Sequence, residues 1–194
     1  MPWEKSFDET AALESAMQAF WARGYDATSM QDLVACMGVG RGSLYATFGD
    51  KRTLFLRALR HYDARHRADW TARLADGHGP RAAILAVFDA IRRAVVEDQR
   101  REGCLLVNTA LETAPHDPDV AAVVAEGLRG METFFAAQIA RGQASGEIGP
   151  DVAPEDDARA LLALLVGMRV FSRARPEATL LDAVAAQAAR IVDG

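Results

Sequence analysis

A short segment, residues 41–48, carries the side chains of this chain best suited to polar recognition. Leu44 and Phe48 lie four residues apart, which predicts a short helix with these two on its inner face. The outer face of that helix then carries Arg41, Ser43, Tyr45 and Thr47. Arginine can donate two hydrogen bonds to a guanine or contact a phosphate, and hydroxyl groups can bond to base edges or phosphates. The chemistry predicted for this segment is therefore non-covalent contact with DNA.

Cys104 is a second position with distinctive chemistry. It follows Gly103 at the predicted start of a helix, and Arg100 and Arg101 lie just upstream. A helix N-terminus stabilises the thiolate form of a cysteine and so raises its reactivity. Two other interpretations stay open: buried packing, and plain lining of a ligand pocket. Cys36, in contrast, lies beside an apolar helix face and is expected to pack in the core.

The elements around residues 41–48 predict how the segment is presented. Thr28 is expected to cap a preceding helix, with Gln31 completing a capping box three residues later. Gly38 ends that helix, because glycine adopts positive φ without a steric penalty. Asp50, after Gly49, is placed to cap a third helix. Two short helices joined by a glycine turn form the helix-turn-helix pattern, whose second helix can enter a DNA major groove.

This stretch resembles the DNA-binding domain of the TetR family, the tetracycline-repressor-like bacterial regulators. The matching residues are Phe20, Gly24, Tyr25, Thr28, the run from Val39 to Tyr45, Phe48, Lys51, Leu54 and Phe55. The resemblance implies that residues 41–47 enter the major groove and that Gly42 lets the backbone approach DNA closely. It also implies a phosphate contact for Tyr45 and backbone anchors at Thr28 and Lys51. Gly40 departs from the serine often found there, which weakens the cap of the recognition helix.

The chain as a whole is predicted to be all-α. Half of its residues are hydrophobic, and it is rich in alanine and leucine, which favours helix. A helix from Lys51 to about Ala75 is expected to bridge two domains, with a break at residues 77–80. We expect a helix-turn-helix domain over residues 1–52 and a helical effector-binding and dimerisation domain over 53–194. The family resemblance implies about nine helices in this layout.

The charge distribution is compatible with DNA binding despite a net charge of −5. Residues 1–75 hold 10 basic and 9 acidic side chains, whereas residues 76–194 hold 12 and 18. Residues 41–73 alone hold eight basic and three acidic side chains. A local basic surface, rather than the global charge, drives phosphate binding. The alternative for residues 57–73 is an ordinary solvated helix face.

A dimer is expected, because one short helix contacts only a few base pairs. A two-fold dimer places two such helices about 34–36 Å apart, which matches a palindromic, double-stranded operator. The last two predicted helices carry more apolar residues than one buried face requires, and such helices can pair with a second copy in a four-helix bundle. The residues predicted for this interface are Leu161, Leu165, Met168, Leu181, Val184 and Ala188.

The C-terminal domain is expected to bind a small-molecule effector. Candidate lining residues are Cys104, Asn108, Trp70, Phe88, Met131, Phe134, Phe135, Met168 and Phe171, with ordinary core packing as the alternative for each. The GCLLVN stretch, residues 103–108, resembles a TetR branch that includes electrophile- and oxidant-responsive repressors. There the cysteine at this place is the sensor, and it can pair with a late lysine. This chain has no lysine after Lys51, so Arg169, Arg173 or Arg175 would substitute.

Other protein classes find little support in the sequence. The four histidines, His61, His66, His78 and His116, are scattered, and no phosphate loop, metal-type cluster or nucleophile motif is present. We therefore expect no enzyme activity, no cofactor and no bound metal. No apolar run approaches the roughly 20 residues of a membrane span, and two cysteines favour a reducing cytoplasm. A helical interaction protein that does not bind DNA is the remaining alternative.

Overall fold

The computed structural model describes residues 7–97 and 101–194, and these residues form helices without any strand. The helices are α1 (Glu9–Arg23), α2 (Met30–Met37), α3 (Arg41–Phe48), α4 (Lys51–Tyr62), α5 (Asp69–Gly77), α6 (Pro80–Glu97), α7 (Leu105–Glu112), α8 (Pro118–Ser145), α9 (Pro154–Ala174) and α10 (Ala178–Asp193). A π-helical segment, Asp63–Ala68, joins α4 to α5, and a 3-10 turn, Ala114–His116, precedes α8. If α4, the π segment and α5 are counted as one helix, this part of the chain has nine helices. The all-α prediction is confirmed.

The cap of α2 differs from the predicted one. Ser29, not Thr28, is the N-cap, and it forms a reciprocal capping box with Asp32. Thr28 is fully buried, and its hydroxyl donates to the Gly24 carbonyl oxygen at 2.7 Å. The predicted box of Thr28 and Gln31 is therefore wrong by one residue. The burial also removes Thr28 from the predicted DNA contacts, because its side chain reaches no solvent.

The glycine corner and the short helix after it form as predicted. Gly38 adopts a left-handed conformation with φ of 65°, which ends α2. Helix α3 begins after Gly40, which supplies no side-chain cap. Leu44 and Phe48 are buried on its inner side. Asp50 caps α4 as predicted, accepting a hydrogen bond from the Thr53 amide at 2.7 Å.

The long helix from α4 to α5 lies against α8 through two glycines. A Cβ atom at Gly127 would lie 2.5 Å from Leu106 and 2.9 Å from the Asp63 carboxylate. A Cβ atom at Gly130 would overlap the Arg67 guanidinium, which itself pairs with Asp63. Because Gly127 and Gly130 carry no side chain, the π-helical segment can approach α8 closely.

Two hydrophobic cores divide the described residues. The first is built from α1 to α4, with α7 and the start of α8, and contains Phe20, Leu44, Phe55 and Leu105. The second is built mainly from α6, α8, α9 and α10, around Phe88 and Phe135. Because α7 and α8 contribute to the first core, the helix-turn-helix unit is packed directly onto the remainder of the chain.

The predicted dimer residues need correction. Leu161, Leu165, Met168, Leu181 and Ala188 are all buried inside the second core of this single chain. Only Val184 of the predicted set is half-buried. Cys36 is also misplaced by the sequence prediction, since it is exposed on α2 rather than packed in the core.

The cap assignment gives a direct test. We expect Ser29→Ala to lower the free energy of unfolding by about 1 kcal/mol, because it removes one half of the capping box. Gln31→Ala should change it by less than about 0.5 kcal/mol, since Gln31 is exposed and outside the box. Urea denaturation followed by circular dichroism measures both. A larger loss for Gln31→Ala than for Ser29→Ala would restore the sequence-based cap.

Candidate nucleic-acid interface and sensor cavities

The outer face of α3 is open to solvent and presents an aromatic and a cationic side chain side by side. Tyr45 is 41% exposed, which is unusual for so large a side chain in this structure. Arg41 is exposed as well, and its guanidinium carbon lies 5.7 Å from the centre of the Tyr45 ring. Gly42 lies between them, with no atom within 4 Å of a built Cβ position. Ser43 and Thr47 are half-buried at the edges of this face.

Lys51 extends this polar surface at the start of α4. Its ammonium nitrogen lies 4.3 Å above the Tyr25 ring, a cation–π arrangement that holds the side chain in place. Tyr25 in turn packs against Phe55, with ring centres 4.7 Å apart. The lysine is half-buried and is therefore positioned by the core of the helix-turn-helix unit.

Arg57 braces α3 from behind. Its guanidinium donates to the Thr47 carbonyl oxygen at 3.1 Å and lies 4.5 Å from the centre of the Phe48 ring. It also lies 3.6 Å from the Glu9 carboxylate. A cation at the C-terminal end of a helix satisfies a free carbonyl and opposes the helix dipole. Arg57 therefore holds the C-terminal end of α3, and its guanidinium already has a carbonyl and a carboxylate partner.

The basic surface is smaller than the count of residues 41–73 suggests. Three of its eight cations form internal ion pairs with carboxylates: Arg52, Arg57 and Arg67. Five have no ion-pair partner among the described residues: Arg41, Lys51, Arg60, Arg65 and Arg73. Phosphate binding by the other five cations stays a prediction.

Arg52 connects the helix-turn-helix unit to the start of α8. Its guanidinium forms two hydrogen bonds with Asp117, at 2.6 and 2.8 Å, and one with Asp119, at 2.6 Å. The hydrogen bonds from Arg52 lower the pKa of Asp117 to about 2. Asp117 also caps α8 by accepting from the Asp119 and Val120 amides. One carboxylate therefore fixes both helices that meet at this point.

Cys104 occupies the N-cap position of α7, and it is half-buried. The Tyr62 hydroxyl donates a hydrogen bond to its sulfur at 3.5 Å. Tyr62 is buried, which raises its pKa well above the ordinary value, so its hydroxyl stays protonated. Its ring stacks on His66 at 5.0 Å and meets Trp21 edge-on at the same centre-to-centre distance.

Two cavities lie in this region, one lined by Cys104 and one by the preceding residues Glu102 and Gly103, and both are lined by His66 and Arg169. The smaller, of about 50 Å³, is lined by Tyr62, His66, Arg67, Trp70, Cys104, Leu106, Val107, Gly127, Leu128, Met131, Leu165, Val166 and Arg169. The larger, of about 320 Å³, lies between α1 and the C-terminal helices. It is lined by Gln18, Trp21, His66, Ile91, Ala94, Val95, Arg101, Glu102, Gly103, Arg169 and Ser172.

A backbone carbonyl beside the larger cavity links α1 to α7. The Glu102 carbonyl oxygen accepts from the Trp21 indole nitrogen at 3.2 Å and from the Asn108 amide at 2.9 Å. The surrounding backbone is unusual, since Arg101 and Gly103 adopt positive φ of 53° and 70°. The loop before Cys104 therefore contacts the first helix of the helix-turn-helix unit directly.

Only part of the predicted ligand set lines these cavities. Cys104, Trp70 and Met131 do so. Four predicted aromatic residues and one methionine pack in or against the second core instead: Phe88, Phe134, Phe135, Phe171 and Met168. Asn108 donates its amide to the Glu102 carbonyl oxygen instead.

Of the three arginines considered as substitutes for a late lysine, one shares a cavity with the thiol. Arg169 lines the small cavity, whereas Arg173 is exposed and Arg175 pairs with Glu177. Arg100 lies outside the described residues. The sequence prediction missed Trp21, Tyr62 and His66, because they come from α1, α4 and the π segment and meet only in the folded chain.

Two further sequence predictions concern absences. Among residues 7–97 and 101–194, no group of three or more His, Cys, Asp or Glu side chains is arranged to hold a metal ion. No helix in the same ranges is both long and apolar enough to cross a membrane.

Comparisons with known proteins cover nearly the whole chain. Residues 12–58 match the profile of bacterial regulatory proteins of the tetR family, and residues 80–188 match the tetracyclin repressor-like C-terminal domain. The uncharacterised HTH-type transcriptional regulator YezE of Bacillus subtilis is 31% identical over 97% of this chain and 93% of its own length. The HTH-type transcriptional repressor ComR of Escherichia coli is 32% identical over 87% of this chain and 81% of its own.

Solved structures agree with these matches. A cysteine mutant of the TetR family regulator CifR, complexed with 26-base-pair double-strand operator DNA, is 31% identical with a TM-score of 0.78. The match covers 95% of this chain and 96% of that one. The reduced form of NemR from E. coli shares the fold at 22% identity, with a TM-score of 0.82 over 94% and 95% of the two chains.

Proposed function

This chain belongs to the TetR family of bacterial transcriptional regulators, and we propose that it is a dimeric repressor released from a palindromic operator by a small molecule or an electrophile. The family consists of transcription regulators and not of enzymes. The observation that carries the proposal is the exposed face of α3, on which Arg41 and Tyr45 extend from a helix anchored by buried Leu44 and Phe48. We expect the protein to act in the cytoplasm, where its operator lies.

The side chains of this face suit different parts of a duplex. Arg41, at the N-terminal end of α3, has a guanidinium that can donate two hydrogen bonds to a guanine edge. The Tyr45 ring lies beside the Arg41 guanidinium and the Lys51 ammonium lies over the Tyr25 ring, which suits contacts that position the protein on phosphates. Ser43 and Thr47, at the edges of the face, can add hydrogen bonds to bases or backbone. The exposed backbone at Gly42 leaves room for close approach.

Removing either main contact should weaken operator binding without unfolding the protein. We expect Arg41→Ala and Tyr45→Ala each to raise the dissociation constant at least about tenfold, because each deletes one or more polar contacts. A genomic fragment selected by the parent protein serves as the probe in a mobility-shift titration. Arg190→Ala, which removes an exposed arginine on α10, is the control and should bind like the parent. Parental affinity in both α3 variants would exclude this face as the DNA-binding surface.

For the dimer interface we propose a different face of α9 from the one predicted. Leu162, Val166 and Val170 repeat every four residues and are only half-buried in this chain. The last two also line a shallow apolar groove with Leu111, which is 71% exposed. Small residues beside the row, such as Gly167, allow another helix to approach. A continuous apolar surface of this kind is typical of an interface with a second copy.

A charge in that row should separate the subunits. We expect Val166→Asp to elute as a monomer in size-exclusion chromatography with light scattering, because a carboxylate would be buried unpaired at the interface. Ala72→Asp, which adds the same charge at an exposed position on α5, should remain dimeric. A monomeric parent, or a Val166→Asp variant that stays dimeric at low micromolar concentration, would contradict the proposed interface.

The input of the regulator is proposed to reach Cys104. Its sulfur is half-buried at the N-terminal end of α7, borders the small cavity and accepts a hydrogen bond from the Tyr62 hydroxyl at 3.5 Å. Arg169 adds a positive charge to the same cavity lining. An electrophilic alkene would be attacked by the thiolate, so that a carbon–sulfur bond forms, the double bond opens and a proton from water completes the adduct. In the alternative, Cys104 is structural and the ligand binds non-covalently.

The two cysteines give this proposal its own control. After brief treatment with N-ethylmaleimide, intact mass and peptide mapping should show an adduct on Cys104, and the modified parent should lose operator binding. Cys104→Ser should bind the operator but no longer respond, whereas Cys36→Ser should respond like the parent. Undiminished operator release in treated Cys104→Ser would place the response at another residue and contradict the proposal.

A further inference from the structure

The larger cavity has the size and the mixed chemistry of a small-molecule site. Its volume of about 320 Å³ is at the lower end of the range typical of ligand pockets, so it suits a compact ligand. Trp21, Ile91 and Val95 give it apolar and aromatic surface, while Arg169 and Ser172 come from α9. The cavity therefore has contacts available both for a flat apolar group and for a polar one.

Arg169 is the feature that selects the class of ligand. Four arginines of the described residues are half-buried: Arg57, Arg67, Arg81 and Arg169. The first three each pair with a carboxylate, namely Glu9, Asp63 and Asp193. The guanidinium of Arg169 forms neither an ion pair nor a hydrogen bond with any described residue. A half-buried charge without a partner is unfavourable, so an anion supplied from outside would stabilise it.

The other charged groups of the cavity leave this preference in place. Arg101 adds a second cation to the lining, and Glu102 is its one carboxylate among the described residues. The pKa of His66 is lowered, mainly because burial disfavours its charged form, so the ring is neutral at pH 7. The described part of the lining thus has a net positive charge. A guanidinium also binds a carboxylate through two parallel hydrogen bonds, which adds orientation to the attraction.

The aromatic wall suits a planar ligand. Trp21 and His66 both line the cavity, with ring centres 5.5 Å apart in an edge-to-face arrangement. Their rings offer faces and edges to a third ring, and such pairs contribute beyond the burial of apolar area. The indole nitrogen of Trp21 is already bonded to the Glu102 carbonyl, so its ring is fixed in position.

From these observations we propose that the cavity between α1 and the C-terminal helices binds a small aromatic carboxylate, with the acid group on Arg169 and the ring against Trp21. The inference names the class of small molecule that the regulator proposed above would bind non-covalently, and its role as an effector rests on that proposed function. A ligand seated here would contact both Trp21, on the first helix of the helix-turn-helix unit, and the loop that holds it. Binding of such a ligand would therefore change the contacts of α1 and, through them, the orientation of α2 and α3.

Isothermal titration calorimetry of the full chain without DNA tests the site. Benzoate is the probe, and benzamide, its neutral analogue of nearly the same shape, is the matched ligand control. We expect benzoate to bind at least about tenfold more tightly than benzamide, because only the carboxylate can pair with Arg169. Arg169→Gln should remove that preference. Arg93→Gln, which deletes an exposed arginine on α6, should keep it.

A second variant places the ligand in the larger cavity. Ala94 is exposed and lines only that cavity, so Ala94→Trp should fill it, leave the thermal unfolding midpoint nearly unchanged and abolish benzoate binding. No heat of binding with benzoate up to about 10 mM, equal affinity for the two ligands, or unchanged preference in Arg169→Gln would overturn the proposal. The calorimetry contains no DNA, so its outcome does not depend on operator binding. The ligand site and the proposed regulatory function can therefore be disproved separately.

Discussion

The face that we propose for DNA binding depends on the anchoring of one short helix. Helix α3 has eight residues, and an isolated helix of that length is unstable in water. Two buried side chains, Leu44 and Phe48, attach it to the core, and Arg57 binds the Thr47 carbonyl at its C-terminal end. All of this anchoring is on the inner side. The outer side is therefore left in solvent with its polar groups unused, which is what an interface with DNA requires.

The same packing provides direct contacts between that face and the proposed sensor region. The helix-turn-helix unit is not an independent body, because α7 and the start of α8 complete its hydrophobic core. Arg52 joins α4 to the cap of α8, and Trp21 joins α1 to the loop before Cys104. A chemical change at the thiol or in the neighbouring cavity acts on groups that already touch α1 and α4. No further residues are needed to connect the cysteine and the cavity to these two helices.

Sequence patterns predicted those features that depend on local spacing. The pair Leu44 and Phe48 predicted the inner face of α3, and Gly77 and Pro80 end one helix and begin the next. The cap of α2 was wrong because Thr28–Gln31 and Ser29–Asp32 both fit the same three-residue spacing. Only the tertiary packing that buries Thr28 decides between them.

Sequence spacing could not predict which surface each helix face packs against. Helix α9 carries two apolar rows, and spacing alone cannot tell which one faces the core of its own chain. The structure buries the row of Leu161, Leu165 and Met168 and leaves the row of Leu162 and Val166 half-buried, which is why we propose the second row as the interface with another copy. The cavity around Arg169 was missed for a related reason, since an unpaired charge is recognised only when all its neighbours are known.

Hydroxyl-radical footprinting on a selected operator fragment tests the central claim most directly. Two copies of α3 presented by a two-fold dimer should protect two patches on one face of the duplex, with centres one helical turn, about 34–36 Å, or a multiple of it, apart. The complex should contain at least two subunits. A single protected patch with one bound subunit, or uniform protection without sequence preference, would contradict the account.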